Sequence, residues 1–261
     1  MNVPLPVRML PHLTFRAWLT PPPIGSRTRS HDTETLADLH SSRVGDIAGF
    51  ELGSGPLVLA LHGWGGRPAQ MTALARALAE AGYRVLLPEL PGHAGGERTD
   101  IKQAAAALNR LVEEVGEPVA VVGHSFAAMV MRLAFSERAP SSVVLIAPAL
   151  NVDDALDVFG DKLALFPWAR RGLRKRLEAW DRSLWPVVST IHPGQMPGAE
   201  ILIVHDPEDD ETSFERATEL AAIRAGTDVV PVPDAGHNRI LSDAFAIDRV
   251  IRFLTRESVP G

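Results

Sequence analysis

From Gly53 onward, short continuous apolar runs alternate with longer segments whose apolar residues recur about every 3.6 positions. Continuous runs are typical of strands buried on both faces, and their alternation with helical segments indicates a parallel sheet built from βαβ units. The predicted strands are Leu57–Leu61, Arg84–Leu87, Val119–Val122, Val143–Ala147, Ile201–Val204 and Val229–Val232. The predicted helices are 69–81, 101–115, 126–137, 213–223 and 244–255. The fold class is therefore α/β, with a mostly parallel central sheet flanked by helices.

The first part of the chain lacks this alternation. Residues 1–45 contain Pro21-Pro22-Pro23, which prevents helix, and then a polar run without a clear period. We expect a loosely structured N-terminal lead-in, followed by the main domain over residues 46–261. The apolar side chains available to dock on that domain are Leu10, Phe15 and Trp18.

A second departure is the segment 150–197, which separates two predicted strands by far more residues than a normal crossover needs. We interpret it as a small helical cap inserted into the domain. Its tryptophans, Trp168, Trp180 and Trp185, suit either packing within the cap or contact with an acyl chain. Its basic run fits a solvated helix face better than an anion site, and consists of Arg170, Arg171, Arg174, Lys175 and Arg176.

Composition excludes several classes of function. The 261 residues carry a formal net charge of -6, which gives no positive field for nucleic acid or an anionic membrane. Cysteine is absent, which excludes disulfides, thiolate catalysis and cysteine-ligated metal centres. No apolar run approaches the roughly 20 residues that cross a bilayer, and no secretory pattern is seen. We expect a cytoplasmic protein whose partner is a small molecule, with the oligomeric state left open.

The segment Gly123-His124-Ser125-Phe126-Ala127 follows an apolar run and leads into a helical one. A strand, a sharp turn and a helix in this order are the setting of a nucleophile elbow, in which a strained backbone presents a serine. The residues two before and two after that serine must be small, and Gly123 and Ala127 meet the requirement. Ser125 is therefore the candidate nucleophile.

A glycine-rich loop follows the first strong strand, with the sequence His62-Gly63-Trp64-Gly65-Gly66. Glycines in this position let backbone N–H groups approach a ligand closely. The N–H groups of Trp64 and Phe126 are the candidate oxyanion hole, in which each donor can contribute about 3 kcal/mol of transition-state stabilisation.

Two later strands end in groups that can activate a serine. The run at 229–232 is followed by His237, whose imidazole titrates near neutral pH and can take a hydroxyl proton. The run at 201–204 leads into a loop rich in carboxylates, one of which could hold that imidazole in a single tautomer. The candidates are Asp206, Asp209 and Asp210. Because the carboxyl ends of parallel strands meet at one edge of a sheet, these groups should come together.

Together, the motifs HGWGG, PELPGHAGG, GHSFA, HDPEDDE and GHNRIL resemble the α/β-hydrolase fold family over about residues 47–256, in the order Ser, Asp, His. In that family the acid usually stands three residues after a strand-ending glycine. Asp206 replaces this glycine, so the resemblance implies Asp209 as the acid, with Asp210 and then Asp206 as rivals. The family's epoxide hydrolases and haloalkane dehalogenases use an aspartate nucleophile, and Ser125 argues against those activities.

The resemblance implies a serine hydrolase with the triad Ser125, Asp209 and His237, which cleaves carboxylic esters of small or medium acyl chains without metal or cofactor. A carbon–carbon bond or thioester hydrolase, or an acyltransferase, would use the same triad, and a non-catalytic ligand receptor could share the fold. The residues predicted to bind substrate are His62, Gly63, His93, His124, Trp168 and Trp185. The histidines among them lack the helical spacing of metal ligands, so we expect them to line the pocket or support it.

Overall fold

The computed structural model describes residues 5–23, 25–93, 95 and 97–256. The strands in this part of the chain are β1 His40–Val44, β2 Ile47–Leu52, β3 Leu57–Leu61, β4 Arg84–Pro88, β5 Ala120–His124, β6 Ser142–Ile146, β7 Glu200–His205 and β8 Thr227–Pro231. They form one sheet in the order β1-β2-β4-β3-β5-β6-β7-β8. β1 pairs with β2, and β2 with β4, in antiparallel fashion, and all neighbours from β4 across to β8 are parallel.

The helices are α1 Leu5–Trp18, α2 Ser26–Leu36, α3 Thr72–Glu80, α4 Ile101–Val115, α5 Ala127–Ala134, α6 Val152–Lys162, α7 Pro167–Trp180, α8 Trp185–Ser189, α9 Phe214–Ile223 and α10 Ala244–Arg256. The α/β architecture is confirmed, because the predicted strands correspond to β3–β8 and the predicted helices to α3, α4, α5, α9 and α10. Within the described ranges, none of these helices has the length and apolarity needed to span a membrane.

The sheet is buried on both faces, which explains the continuous apolar runs. In β3, Val58 and Ala60 belong to the cluster on one face, whereas Leu59 and Leu61 belong to the cluster on the other. α3 and α10 supply apolar side chains to the first cluster, and α4, α5 and α9 supply them to the second. Helices thus cover both sides of the sheet, as a parallel sheet requires.

Regular structure occupies much of residues 5–45, where we expected a loose lead-in. α1 and α2 lie on either side of the triple proline, and β1 pairs with β2 across a turn at Gly45. Gly45 has a φ of 57°, a left-handed conformation that glycine adopts without strain. The boundary predicted after residue 45 therefore falls inside a hairpin. β1 was missed because its sequence, HSSRV, carries too few apolar residues to show a strand pattern.

α1 is supported by aromatic contacts with the helices between β6 and β7. Phe15 packs edge-on against Trp180 with ring centroids 5.6 Å apart, and Trp18 packs in the same way against Phe159 at 5.2 Å. A short helix is marginal in isolation, so these tertiary contacts explain why local sequence alone gave the wrong prediction. Leu10, the third side chain expected to dock, lies outside the described side chains.

The cap, residues 150–197, folds into α6, α7 and α8 as predicted. Two buried arginines hold its ends. Arg132 of α5 donates to the carbonyl groups of Leu150, Val187 and Thr190. Arg224, directly after α9, donates to the carbonyl groups of Gln195, Met196 and Ala199. The cap is therefore attached to the helices beneath it near both of its ends.

Arg132→Met should lower the free energy of unfolding by about 3 kcal/mol, because three carbonyl groups lose their donor while much of the side-chain volume is kept. Arg138 provides the matched control, since it pairs with Glu117 at the surface, and Arg138→Met should cost less than about 1 kcal/mol. Urea unfolding followed by tryptophan fluorescence measures both variants. Equal losses would show that the bonds from Arg132 add nothing.

Candidate active site

Ser125 lies at the turn between β5 and α5, and its φ of 53° is unusual for a residue with a side chain. Its N–H donates to the carbonyl oxygen of Ile146 at 3.0 Å, and its own carbonyl accepts from the N–H of Ala149 at 3.1 Å. A Cβ added at Gly123 would overlap the sulfur of Met131. The crowding explains why glycine stands two residues before this serine.

His237 connects Ser125 to Asp209. Its Nε2 lies 3.0 Å from Ser125 Oγ, and its Nδ1 lies 2.8 Å from Asp209 Oδ2. Because an ionised carboxylate can only accept, the proton of the neutral imidazole is placed on Nδ1, which leaves Nε2 to accept from the serine hydroxyl. The His237 side chain is 7% exposed and the Asp209 carboxylate is fully buried. This is the arrangement of a nucleophile and a base that a third group orients.

The Asp209 carboxylate is satisfied on both oxygens. Oδ1 accepts from the N–H groups of Glu211 at 2.7 Å and Thr212 at 3.0 Å. Oδ2 faces His237 and also lies 3.3 Å from Nε2 of the buried His205. Burial alone would raise the pKa of Asp209, but the hydrogen bonds from His205 and His237 outweigh it and hold the pKa below its ordinary value. The carboxylate is therefore ionised.

Asp206 occupies the position where the family resemblance leads one to expect glycine. Its carboxylate accepts from the N–H of Gly236, the residue before His237. This hydrogen bond links the acid loop, residues 206–213 after β7, to the histidine loop, residues 232–238 after β8. Asp210 is exposed. Of the three aspartates considered from the sequence, Asp209 is the one hydrogen-bonded to His237.

Two of the histidines predicted to bind substrate, His62 and His93, are buried and do not line the cavity beside Ser125. His62 is 1% exposed, and its Nε2 accepts from the N–H of Leu90 at 3.1 Å. His93 is also 1% exposed, and its ring packs edge-on against Trp64 with centroids 5.3 Å apart. Burial lowers the pKa of His93 to about 4. Neither ring lines the cavity beside Ser125, because neighbouring backbone and rings enclose them.

His124 lies in the cavity wall and also supports His237. Its Nε2–H donates to the carbonyl oxygen of His237 at 2.9 Å, and the two ring centroids are 4.8 Å apart. Burial, and then the proximity of His237, lower the pKa of His124 to about 3. The ring is therefore neutral near pH 7 and acts as a hydrogen-bond donor to the backbone of His237.

A cavity of about 480 Å³ lies beside Ser125 and His237, with Gly63 and Trp64 also in its wall. The cap contributes most of the apolar lining: Val152, Ala155, Val158, Phe159, Leu177, Trp180, Leu184, Trp185 and Val188. Trp185 thus lines the cavity. Trp168 does not, contrary to the prediction, because it lies on the exposed side of α7, 39% accessible and stacked on Phe166 at 6.5 Å.

The glycine-rich loop, which carries one of the N–H groups predicted to bind an oxyanion, lies next to the serine, since a Cβ added at Gly63 would lie 3.0 Å from Ser125 Cβ. Phe126 directly precedes α5, and the first N–H groups of a helix have no partner within it. The ring of Trp64 packs against the ring of Phe126 with centroids 5.1 Å apart, which brings the glycine-rich loop next to the elbow.

Three residues around the site were not predicted from the sequence: Glu211, Trp18 and Leu19. Glu211 lines the cavity and pairs with Lys162 of the cap, with 2.7 Å between Oε2 and Nζ, and its Oε2 lies 3.9 Å from His237 Nε2. Trp18 and Leu19, at the end of α1, also line the cavity. Glu211 belongs to the HDPEDDE motif and could have been identified as a site residue from that position. For Trp18 and Leu19, the sequence offers only their apolar character, which does not distinguish a cavity residue from a core residue.

The chain belongs to the alpha/beta hydrolase family, whose model matches residues 57–250. It is 34% identical over 128 residues to epoxide hydrolase A of Mycobacterium tuberculosis, over 45% of this chain and 39% of that protein. It is also 34% identical over 127 residues to the magnesium-chelatase 30 kDa subunit of Rhodobacter capsulatus, over 46% and 42%. Each alignment spans less than half of the relative.

Among solved structures, an esterase of Pyrococcus furiosus superposes with a TM-score of 0.68 at 19% identity, covering 92% of this chain and 98% of that one. At this identity the likeness shows the shared fold.

Stability should fall between pH 7 and pH 5 because His93 and His124 are buried as neutral rings. Their folded pKa values, about 4 and about 3, lie below the ordinary value near 6.5, so the unfolded chain binds protons first as pH falls. Each should cost about 2 kcal/mol of unfolding free energy at pH 5. Urea unfolding at the two pH values tests this. His93→Asn should remove about half of the loss, whereas His192→Asn, at an exposed histidine, should leave it unchanged.

Proposed function

We propose that the protein is a serine hydrolase that cleaves carboxylic esters of small or medium acyl chains through an acyl-enzyme intermediate. The observation that carries the proposal is the hydrogen-bonded series Ser125, His237 and Asp209 at the wall of a largely apolar cavity. A serine at the elbow supports ester chemistry over the epoxide opening named for one relative, because that reaction uses an aspartate nucleophile in this family.

In the first half-reaction, His237 Nε2 takes the proton of Ser125 as Oγ attacks the ester carbonyl carbon. The carbonyl π electrons move to oxygen, and the resulting oxyanion accepts hydrogen bonds from the N–H groups of Trp64 and Phe126. The ionised Asp209 stabilises the imidazolium without taking its proton. The tetrahedral intermediate then expels the alkoxide, which leaves as an alcohol after receiving the proton from His237.

In the second half-reaction, a water molecule takes the place of the alcohol. His237 Nε2 removes a proton from the water as its oxygen attacks the acyl carbon, and the proton returns to Ser125 Oγ when the carboxylic acid is released. His237 thus acts as base and then acid in each half-reaction, which requires that its ring stays in place throughout. Two hydrogen bonds serve that purpose: His124 donates to the carbonyl oxygen of His237, and the Nδ1–H of His237 donates to Asp209.

The cavity favours an apolar acyl group. The cap residues in its wall are mainly aliphatic and aromatic, and apolar surface covered by an acyl chain is removed from water. The charged side chains of the wall have partners within the protein: Glu211 pairs with Lys162, and Asp181 pairs with Lys102. The carboxylate of Asp100 accepts from the N–H of Gln103. A cavity of about 480 Å³ has room for a chain of medium length.

Nitrophenyl esters of graded acyl length test the activity. The protein should hydrolyse them, and Ser125→Ala should abolish turnover because the attacking oxygen is lost. A fluorophosphonate probe should label Ser125 and no other residue in the native protein. Retained turnover or labelling in Ser125→Ala would refute the assignment, and binding of esters without turnover would favour a receptor on the same fold.

The acid is tested by two neighbouring substitutions that keep shape and remove charge. Asp209→Asn should lower kcat by up to about 10⁴-fold, by analogy with the worked serine-protease triad, because the imidazole loses the partner of its Nδ1 proton. Asp210→Asn is the matched control and should leave kcat within about threefold, since exposed substitutions away from such contacts have small effects. A larger loss for Asp210→Asn would contradict the assignment of Asp209.

A further inference from the structure

The end of α1 forms part of the cavity wall. Trp18 and Leu19 line the same cavity as Ser125 and His237. Leu19 is 4% exposed, and Trp18 keeps part of its surface accessible. The family model begins at residue 57, so this part of the wall lies outside the matched residues.

Trp18 lies where the cap meets the helix that follows Ser125. Its ring packs edge-on against Phe159 of α6 at 5.2 Å. It also packs against an apolar cluster that includes Met129 of α5, and the partly buried Phe126, the residue directly after the nucleophile, packs against the same cluster. Trp18 therefore lies between the helices that cover the cavity and the helix that starts at the reacting serine.

The backbone beside Trp18 is attached to the main domain and not only to the cap. The carbonyl oxygen of Leu19 accepts from the N–H of the buried Thr99 at 2.8 Å. The next two residues, Asp100 and Ile101, line the cavity, and Asp100 caps α4 by accepting from the N–H of Gln103. The end of α1 is thus held at the start of a core helix, which fixes the indole at the cavity.

We propose that Trp18, held in place through Leu19, is a specificity-determining residue against which the acyl chain packs. The inference rests on the proposed function for its substrate class. An apolar chain in the cavity would cover the accessible surface of the indole, and single methylenes in such pockets change selectivity by about tenfold or more. The N-terminal helix then contributes to substrate choice as well as to packing.

Phe15 supplies a matched control on the same helix. Its ring packs against Trp180 at 5.6 Å, and the guanidinium of Arg176 lies 5.8 Å from its centroid. It packs α1 against α7 but does not belong to the cavity wall. Phe15→Ala therefore weakens the docking of α1 without removing a contact to a bound chain.

The first measurement is kcat/KM for nitrophenyl esters from acetate to dodecanoate. Trp18→Ala should shift the optimum to longer chains and lower kcat/KM about tenfold on the ester that the unchanged protein prefers, while acetate, too short to reach the indole, changes by less than about twofold. Trp18→Phe, which keeps an aromatic wall if the alanine variant folds poorly, should give an intermediate shift. Phe15→Ala should preserve the ranking of the esters.

The second measurement needs no turnover. In the Ser125→Ala background, calorimetric binding of decanoate should weaken about tenfold with Trp18→Ala and by less than about twofold with Phe15→Ala. If the unchanged protein hydrolyses no ester but decanoate binding follows this pattern, the proposed function fails and the wall formed by Trp18 stands. Absence of decanoate binding, or equal effects of Trp18→Ala and Phe15→Ala on ranking and affinity, would show that α1 serves packing alone.

Discussion

The side-by-side pairing of parallel strands determines where the reactive groups of this protein lie. In the ladder, Leu61 stands beside Gly123, and His205 stands beside Pro231. These pairs are at the carboxyl ends of their strands, so the loops that follow them leave the sheet at one edge. The glycine-rich loop, the elbow, the acid loop and the histidine loop are those loops. The site is therefore assembled from chain segments far apart in sequence by a register that buried apolar side chains maintain.

The buried charge of Asp209 requires hydrogen-bond donors at the same end of the sheet. A carboxylate out of water is costly unless its oxygens are hydrogen-bonded, and here backbone N–H groups and two imidazoles meet that need. Asp206 extends the arrangement, because its carboxylate joins the acid loop to Gly236 in the histidine loop. A glycine at this position could not make that bond. The departure from the family pattern thus adds a connection between the loops of the acid and the base.

The elements and site residues that are easiest to predict from the sequence are those whose residue types are restricted by burial or by the chemistry of the position. The central strands β3, β5 and β6 are buried along their whole length. The ends of α4 were predicted from its apolar period, and they coincide with a capping box formed by Asp100 and Gln103 at its start and with Gly116 after its last residue. Ser125 and His237 were proposed from motif and order, and Asp209 from family spacing, and the structure places these three side chains within hydrogen-bond distance of one another in series.

What could not be predicted depends on tertiary contacts. The helix α1 forms where local sequence alone did not predict it, and Trp185 lines the cavity whereas Trp168 is exposed because the two lie on different sides of the cap. Likewise, His62 and His93 follow strand ends as cavity residues do, yet backbone and neighbouring rings enclose them. Periodicity shows that a side chain is apolar or aromatic, but not which surface it meets.

The arginine contacts at the two ends of the cap have a consequence for how this fold can diversify. Arg132 and Arg224 bind main-chain oxygens, so what they recognise is the path of the chain and not its side chains. Any insert that leaves and re-enters along the same path would meet the same two anchors. The two ends of the cap are therefore natural boundaries for recombination. One cap could be exchanged for another there without changing the side chains in the loops at the carboxyl ends of the strands.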